Sequence, residues 1–173
     1  MKCISLQFPE SGYVQGMNSL CGTLMTYTTP EDTFAITASL FQNYNIQDCY
    51  FPRLPGLEKN FYIMLMLMKK YVPRLVNKFK EIDFSPQMYA SSWFITCFAD
   101  YFPIGIVVRI FDIYLYEGRK ILFRIALAIF KLSEAELLQA DDLELPLTHL
   151  KKFPNTCDVE KLIKVAHKFT FSR

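Results

Sequence analysis

Apolar residues recur at every third or fourth position along most of this 173-residue chain, which is the spacing that gives an α-helix one buried face. Between Met17 and Met25, for example, five apolar side chains stand at positions i, i+3, i+4, i+7 and i+8. No stretch alternates apolar and polar residues between the turn residues typical of a β-hairpin. The pattern predicts an all-α fold, a single globular domain of about eight helices.

Prolines, glycines and capping residues indicate where these helices begin and end. Thr29 and Pro30 fit the N-cap and the first position of one helix, and Asn45 suits a left-handed end for it. Pro103 and Gly118 bound another helix in the same way. Other helices are predicted over residues 17–25, 57–72, 74–82, 85–101, 121–130, 133–139 and 158–169. The acidic stretch 141–144 is ambiguous, and Pro146 is expected to interrupt whichever element contains it.

Charge and composition exclude several classes of partner and site. The net charge of +2 gives no strong attraction to nucleic acid or to acidic membranes. The longest uninterrupted apolar run, residues 61–68, is far shorter than the ~20 residues of a membrane-spanning helix. Five scattered cysteines without a Cys-x-x-Cys pair predict neither a disulfide framework nor a zinc site, and they favour a reducing, intracellular compartment.

The motifs of stand-alone catalysis are absent from the sequence. It contains no P-loop, no Gly-x-Gly-x-x-Gly, no His-Glu-x-x-His and no Gly-x-Ser-x-Gly. Its two histidines, His149 and His167, lack neighbours at metal-ligand spacing, so neither a metal nor a cofactor is expected. Whether the chain has an activity of its own is left open by the residues alone.

Residues 11–18 are the exception to this plain helical pattern. Gln15 lies between Gly12 and Gly16, immediately before the apolar helix that begins near Met17. The glycines permit unusual dihedrals or a close backbone approach, and the glutamine offers one acceptor and two donors. A helix-entry loop with an ordinary surface glutamine would account for the same residues.

The run Tyr13-Val14-Gln15-Gly16-Met17-Asn18 resembles the Tyr-x-Gln-Gly-Met motif of the TBC domain, the GTPase-activating module for Rab-type small GTPases. Further segments resemble the same family in the family's own order: 54–57, 91–99, 102–103, 108–112, 117–118 and 122–127. The resemblance is strongest over residues 9–131, and it indicates that residues 1–173 form a partial TBC domain. Phe111 departs from the family's usual tryptophan. Trp93, Arg109 and Asp112 also match, and we expect them to stabilise the fold, with an Arg109–Asp112 pair one helical turn apart.

The resemblance implies a role for the loop before the first long helix. In this family a glutamine acts in trans, orienting the water that attacks GTP in the partner's active site, and Gln15 matches it. Tyr13, Gly16, Met17 and Asn18 would shape the loop and contact the GTPase. GTP and Mg²⁺ would belong to the partner, a Rab-type GTPase involved in vesicle trafficking. A cytoplasmic protein, recruited peripherally to trafficking membranes, is the expected setting.

The family's second catalytic group is an arginine in an upstream Ile-x-x-Asp-x-x-Arg motif. No aspartate in this chain is followed by an arginine three positions later, so residues 1–173 are expected to be a weak activator or an inactive one. A truncated chain, an incomplete gene model and a catalytically inactive relative all remain open. In the last case the chain would bind a Rab GTPase, or act as a scaffold, without accelerating hydrolysis.

Overall fold

α-Helices make up most of the computed structural model, which describes residues 1–171. The helices in that part of the chain are α1 (Lys2–Gln7), α2 (Met17–Met25), α3 (Pro30–Asn43), α4 (Pro55–Tyr71), α5 (Pro73–Glu81), α6 (Ser91–Ile95), α7 (Ile104–Glu117), α8 (Lys120–Leu132), α9 (Glu134–Leu137), α10 (Glu144–Thr156) and α11 (Val159–Ala166). Short 3-10 turns occupy Gln47–Cys49 and Pro86–Met88. No β-strand occurs within residues 1–171, and the all-α prediction is confirmed.

Several helix limits lie where the local residues predicted them. The Thr29 hydroxyl accepts a hydrogen bond from the Asp32 amide at 3.1 Å, and Pro30 is the first residue of α3. Asn45, just beyond the end of α3, has a φ of +53°. Gly118 ends α7 with a φ of +80°. Each of these ends depends on chemistry within a few residues of the boundary, which is why the sequence predicts them.

Other limits differ from the prediction, and the helices are more numerous than about eight. The helix expected over 85–101 is wrong: α6 ends at Ile95 because Cys97 and Phe98 adopt positive φ angles of +50° and +69°. Pro146 does not interrupt a helix. It is the third residue of α10, within the first turn, where the backbone N–H groups have no intrahelical acceptor. The short α1 and the whole of α10 were not predicted.

The core is built around α8. Nine of the ten positions from 121 to 130 in this helix are buried, Arg124 being the exception, and α4, α7 and α11 pack around it. Trp93 is fully buried beside it, with its ring centroid 5.7 Å from that of Phe130. α2 packs on α3 and α7, and α1 packs on α3. The N-terminal helices are thereby attached to α7 through α2.

Arg109 does not form the expected pair with Asp112. Its guanidinium Nη1 lies 2.9 Å from Glu160 Oε1, an ion pair that joins α7 to α11. Both side chains are largely exposed, so solvent screens the attraction. Within residues 1–171, no helix combines the length and the hydropathy that crossing a membrane requires.

Candidate functional site

The segment that carries Gln15 connects α1 to α2, and we call residues 8–16 the Gln15 loop. At its start the Phe8 carbonyl accepts hydrogen bonds from the amides of Ser11 and Gly12, both at 3.1 Å. Gly12 follows with a φ of +60°. The Phe8 ring is buried against that of Phe41, with the ring centroids 4.9 Å apart. The first half of the loop is therefore anchored to α3.

The loop ends at Gly16, which caps α2. Gly16 has a φ of +104°, and its carbonyl accepts hydrogen bonds from Ser19 at 3.2 Å and Leu20 at 3.3 Å. A β-carbon at this position would lie 2.6 Å from Cγ2 of Ile95 and 3.1 Å from Cγ2 of Thr96. Both the dihedral and the close approach require glycine here. The end of the loop therefore rests directly on the last turn of α6.

Asn18 connects the two sides of the loop from the first turn of α2. Its Oδ1 accepts a hydrogen bond from the Gly16 amide at 3.2 Å and another from the Tyr13 hydroxyl at 3.3 Å. The Met17 sulfur accepts one from the Val14 amide at 3.3 Å, and the Met17 side chain is buried. These local bonds determine the path of the backbone on either side of Gln15.

Gln15 itself is exposed to solvent. Among the hydrogen bonds of residues 1–171, none involves its side chain, so its amide can accept and donate towards another molecule. Tyr13 is 57% exposed and Asn18 is also exposed. The five predicted residues thus lie in the Gln15 loop and in the first turn of α2, and the structure divides them. Tyr13, Gln15 and Asn18 face solvent, whereas Gly16 and Met17 shape the loop from its buried side.

Two residues that the sequence did not single out for the site, Tyr50 and Ile95, support the end of this loop. The Tyr50 hydroxyl donates a hydrogen bond to the Ile95 carbonyl at 2.6 Å, and Ile95 carries the methyl group that meets Gly16. Burial raises the pKa of Tyr50 well above its ordinary value, so the hydroxyl keeps its proton. Ile95 lies inside a segment that resembles the TBC family, but neither residue type carries a chemical signal that predicts this contact.

Three arginines of the fold pair with carboxylates. Arg119 contacts Asp48, and Arg124 contacts Glu117 at 2.6 Å. Arg109 pairs with Glu160. In the part of the chain that the structure describes, no three His, Cys, Asp or Glu side chains come together in a metal-binding group. The Gln15 loop itself contains no cationic residue, and its exposed polar side chains include the Gln15 amide, the Tyr13 hydroxyl and the Glu10 carboxylate.

A family model described as the Rab-GTPase-TBC domain matches residues 1–138. The chain belongs to the Rab-GTPase-TBC domain family. Over 175 residues it is 35% identical to the human "Ecotropic viral integration site 5 protein homolog", covering 99% of this chain and 22% of that protein. It is likewise 35% identical over 141 residues to the "Rab GTPase-activating protein eat-17" of Caenorhabditis elegans, covering 82% of this chain and 16% of that protein.

A solved TBC domain has the same architecture. The crystal structure of the Chlamydomonas flagellar RabGAP TBC domain superimposes with a TM-score of 0.82 at 28% identity, covering 95% of this chain and 56% of that chain. The 173 residues therefore span between a seventh and a quarter of these two curated relatives, and little more than half of the solved TBC domain. The Gln15 loop falls within the matched part.

Proposed function

We propose that this TBC chain acts on a Rab-type small GTPase, with Gln15 supplied in trans to orient the water that attacks GTP. The observation that carries the proposal is the position of Gln15: an exposed amide without a partner in residues 1–171, on a loop whose backbone is held at both ends. The family match supports the class of partner.

The chemistry of GTP hydrolysis explains why a neutral amide is useful at this position. The attacking water must be held in line with the γ-phosphate, and a glutamine side chain does this in many GTPases. The Gln15 carbonyl oxygen would accept a hydrogen bond from the water while its NH₂ group donates to an oxygen of the phosphate. GTP and Mg²⁺ are bound by the partner GTPase, so the TBC chain needs no cofactor in this scheme.

Charge neutralisation is the part of the mechanism that residues 1–173 lack. An arginine finger contributes about 10³–10⁵ in rate, and an amide dipole cannot replace a full positive charge. The family's Ile-x-x-Asp-x-x-Arg motif does not occur in the sequence, and Arg109, Arg119 and Arg124 pair with carboxylates. We infer that these 173 residues alone accelerate hydrolysis weakly. The same observation favours the second candidate function, a module that binds a Rab GTPase without activating it.

The test is single-turnover GTP hydrolysis by a panel of Rab GTPases, with the chain in excess and with binding measured in parallel. Gln15→Ala is compared with Gln42→Ala, an exposed glutamine on α3. Acceleration that Gln15→Ala abolishes and Gln42→Ala retains supports the proposed mechanism. Binding without any acceleration supports the second candidate. Neither binding nor acceleration across the panel would contradict both.

A further inference from the structure

We propose that Tyr50 is a positioning residue for Gln15, acting through Ile95 and Gly16. This inference deepens the proposed function and rests on it for its catalytic consequence. Its structural part concerns only how the Gln15 loop is held. The loop contacts the rest of the fold at the Phe8 ring and at Gly16, among other points, and Tyr50 is connected to both of these.

The first connection runs through aromatic rings to the start of the loop. The Tyr50 ring stacks on Phe41 with centroids 5.1 Å apart and an angle of 24° between the planes. Phe41 in turn packs on Phe8 at 4.9 Å. The carbonyl of Phe8 accepts the amides of Ser11 and Gly12. A shift of the Tyr50 ring would therefore be transmitted to the turn that opens the loop.

The second connection runs through a hydrogen bond to the end of the loop. The Tyr50 hydroxyl donates to the carbonyl of Ile95, the last residue of α6. Carbonyls in the last turn of a helix have no intrahelical donor and need one from elsewhere. The Cγ2 methyl of the same Ile95 residue lies where a β-carbon on Gly16 would clash. Ile95 therefore forms part of the surface on which Gly16 rests, and a movement of Ile95 changes that surface.

The end of α6 needs such a restraint because its backbone is strained. Cys97 and Phe98, immediately beyond Thr96, both have positive φ angles and are fully buried. Non-glycine residues in that region persist only where the surrounding structure holds them. Tyr50 is 1% exposed, and its hydrogen bond to the Ile95 carbonyl restrains the residue that ends α6. Its hydroxyl is the one polar atom of the side chain, so it can be removed without removing the ring.

Tyr50→Phe tests the proposal, with Tyr44→Phe as the matched control. The Tyr44 hydroxyl also donates to a backbone carbonyl at 2.6 Å, that of Leu115 on α7. Each variant loses one hydroxyl and one tyrosine-to-carbonyl bond, so urea unfolding should show similar losses of stability. The Gly16 amide, which donates to Asn18 in the loop, is then followed by hydrogen exchange. We expect its exchange to rise about tenfold more in Tyr50→Phe than in Tyr44→Phe, because local opening is added to global unfolding.

The hydrogen-exchange measurement tests whether Tyr50 holds the Gln15 loop in place, and it requires no GTPase. Equal exchange of the Gly16 amide in the two variants would overturn the proposal. In the Rab assay, displacement of Gln15 should lower the maximal rate by about tenfold with unchanged affinity for the partner, because catalytic groups tolerate little misplacement. A loss of affinity alone, or equal rate losses in both variants, would also overturn it. If Gly16 exchanges faster but neither Tyr50→Phe nor Gln15→Ala changes the rate, the proposed function fails while the loop's dependence on Tyr50 stands.

Discussion

Gly16 and Ile95 lie so close together that a β-carbon at position 16 would be only 2.6 Å from the Cγ2 methyl carbon of Ile95. The glycine also has a φ of +104°, a backbone conformation that L side chains rarely adopt. Two independent physical constraints therefore act on the residue that follows Gln15. The Gly16 backbone is thereby held against Ile95, while the Gln15 side chain remains exposed to solvent.

Gly16→Ala should lower the free energy of unfolding by more than the dihedral alone explains. The backbone strain costs about 1–3 kcal/mol, and the clash with Ile95 adds about 1–3 kcal/mol of overpacking. Gly12→Ala is the matched control, because Gly12 has a φ of +60° but no atom within 4 Å of the added β-carbon. Urea unfolding of both variants measures the difference. Equal losses would show that α6 moves freely away from the loop.

Arg119 holds together the chain between α3 and α4. Its guanidinium donates to the Asn45 carbonyl at 2.9 Å and to Asn60 Oδ1 at 2.8 Å, and it lies 3.4 Å from Asp48 Oδ1. The Asp48 side chain lies so close over Gly56 that a β-carbon there would approach its Cγ to 2.3 Å. The network fixes the segment that precedes α4.

Arg119→Gln should destabilise the fold by about 1–3 kcal/mol, because it leaves partly buried acceptors without a donor. Arg109→Gln removes the ion pair with Glu160, whose side chains are 50% and 69% exposed, and should cost at most about 1 kcal/mol. The comparison is made by urea or thermal unfolding. A larger loss in Arg109→Gln than in Arg119→Gln would contradict this assignment.

The stability of the fold should decrease in alkaline solution. Burial raises the pKa of the Cys49 thiol from 9.0 to about 12, an effect that the nearby Arg119 guanidinium partly offsets. Above pH 9 the unfolded chain releases this proton while the folded chain retains it. The free energy of unfolding then falls by about 1.4 kcal/mol per pH unit for each such group. Burial raises the pKa of Tyr50 and Tyr114 as well, which extends the same trend.

Urea midpoints measured between pH 8 and pH 11 check this prediction. Cys49→Ser removes the titrating thiol but keeps an acceptor for the Asn60 amide. Its urea midpoint should therefore fall less steeply with pH than that of the wild type. Cys3→Ser provides the control, because Cys3 is exposed. A midpoint that stays constant above pH 9, or a slope that Cys49→Ser leaves unchanged, would contradict the sign or the source of the effect.

Local chemistry made much of the candidate loop predictable. Gly12 and Gly16 are the two residues with positive φ in the loop, and the sequence singled both out because glycine is the residue that tolerates that conformation. Gln15 was predicted to face solvent and does so. Burial of Met17 at 1% exposure follows from its place in the apolar stripe of α2, although the resemblance to the family had suggested a contact surface.

The errors arose where long-range packing overrides local preference. Residues 85–101 carry a helical pattern, yet α6 ends at Ile95, and Cys97 and Phe98 follow with positive φ angles and fully buried side chains that the core holds in place. Arg109 has Asp112 one turn away but bonds to Glu160 on another helix. Neither outcome leaves a trace within a window of neighbouring residues.

The amino-acid sequence alone predicts four features of this protein: a helical fold, the start of α3 at a capped proline, the end of α7 at a glycine, and an exposed glutamine before α2. These features depend on backbone propensities and on contacts between near neighbours, which the sequence encodes directly. Tertiary structure decided what holds that glutamine in place. The bond from Tyr50 to Ile95 joins residues 45 positions apart, and the Arg119 network joins residues 59 to 74 positions apart. Such pairs meet only because the helices between them pack on α8, and no local pattern specifies which distant side chains that packing will bring together.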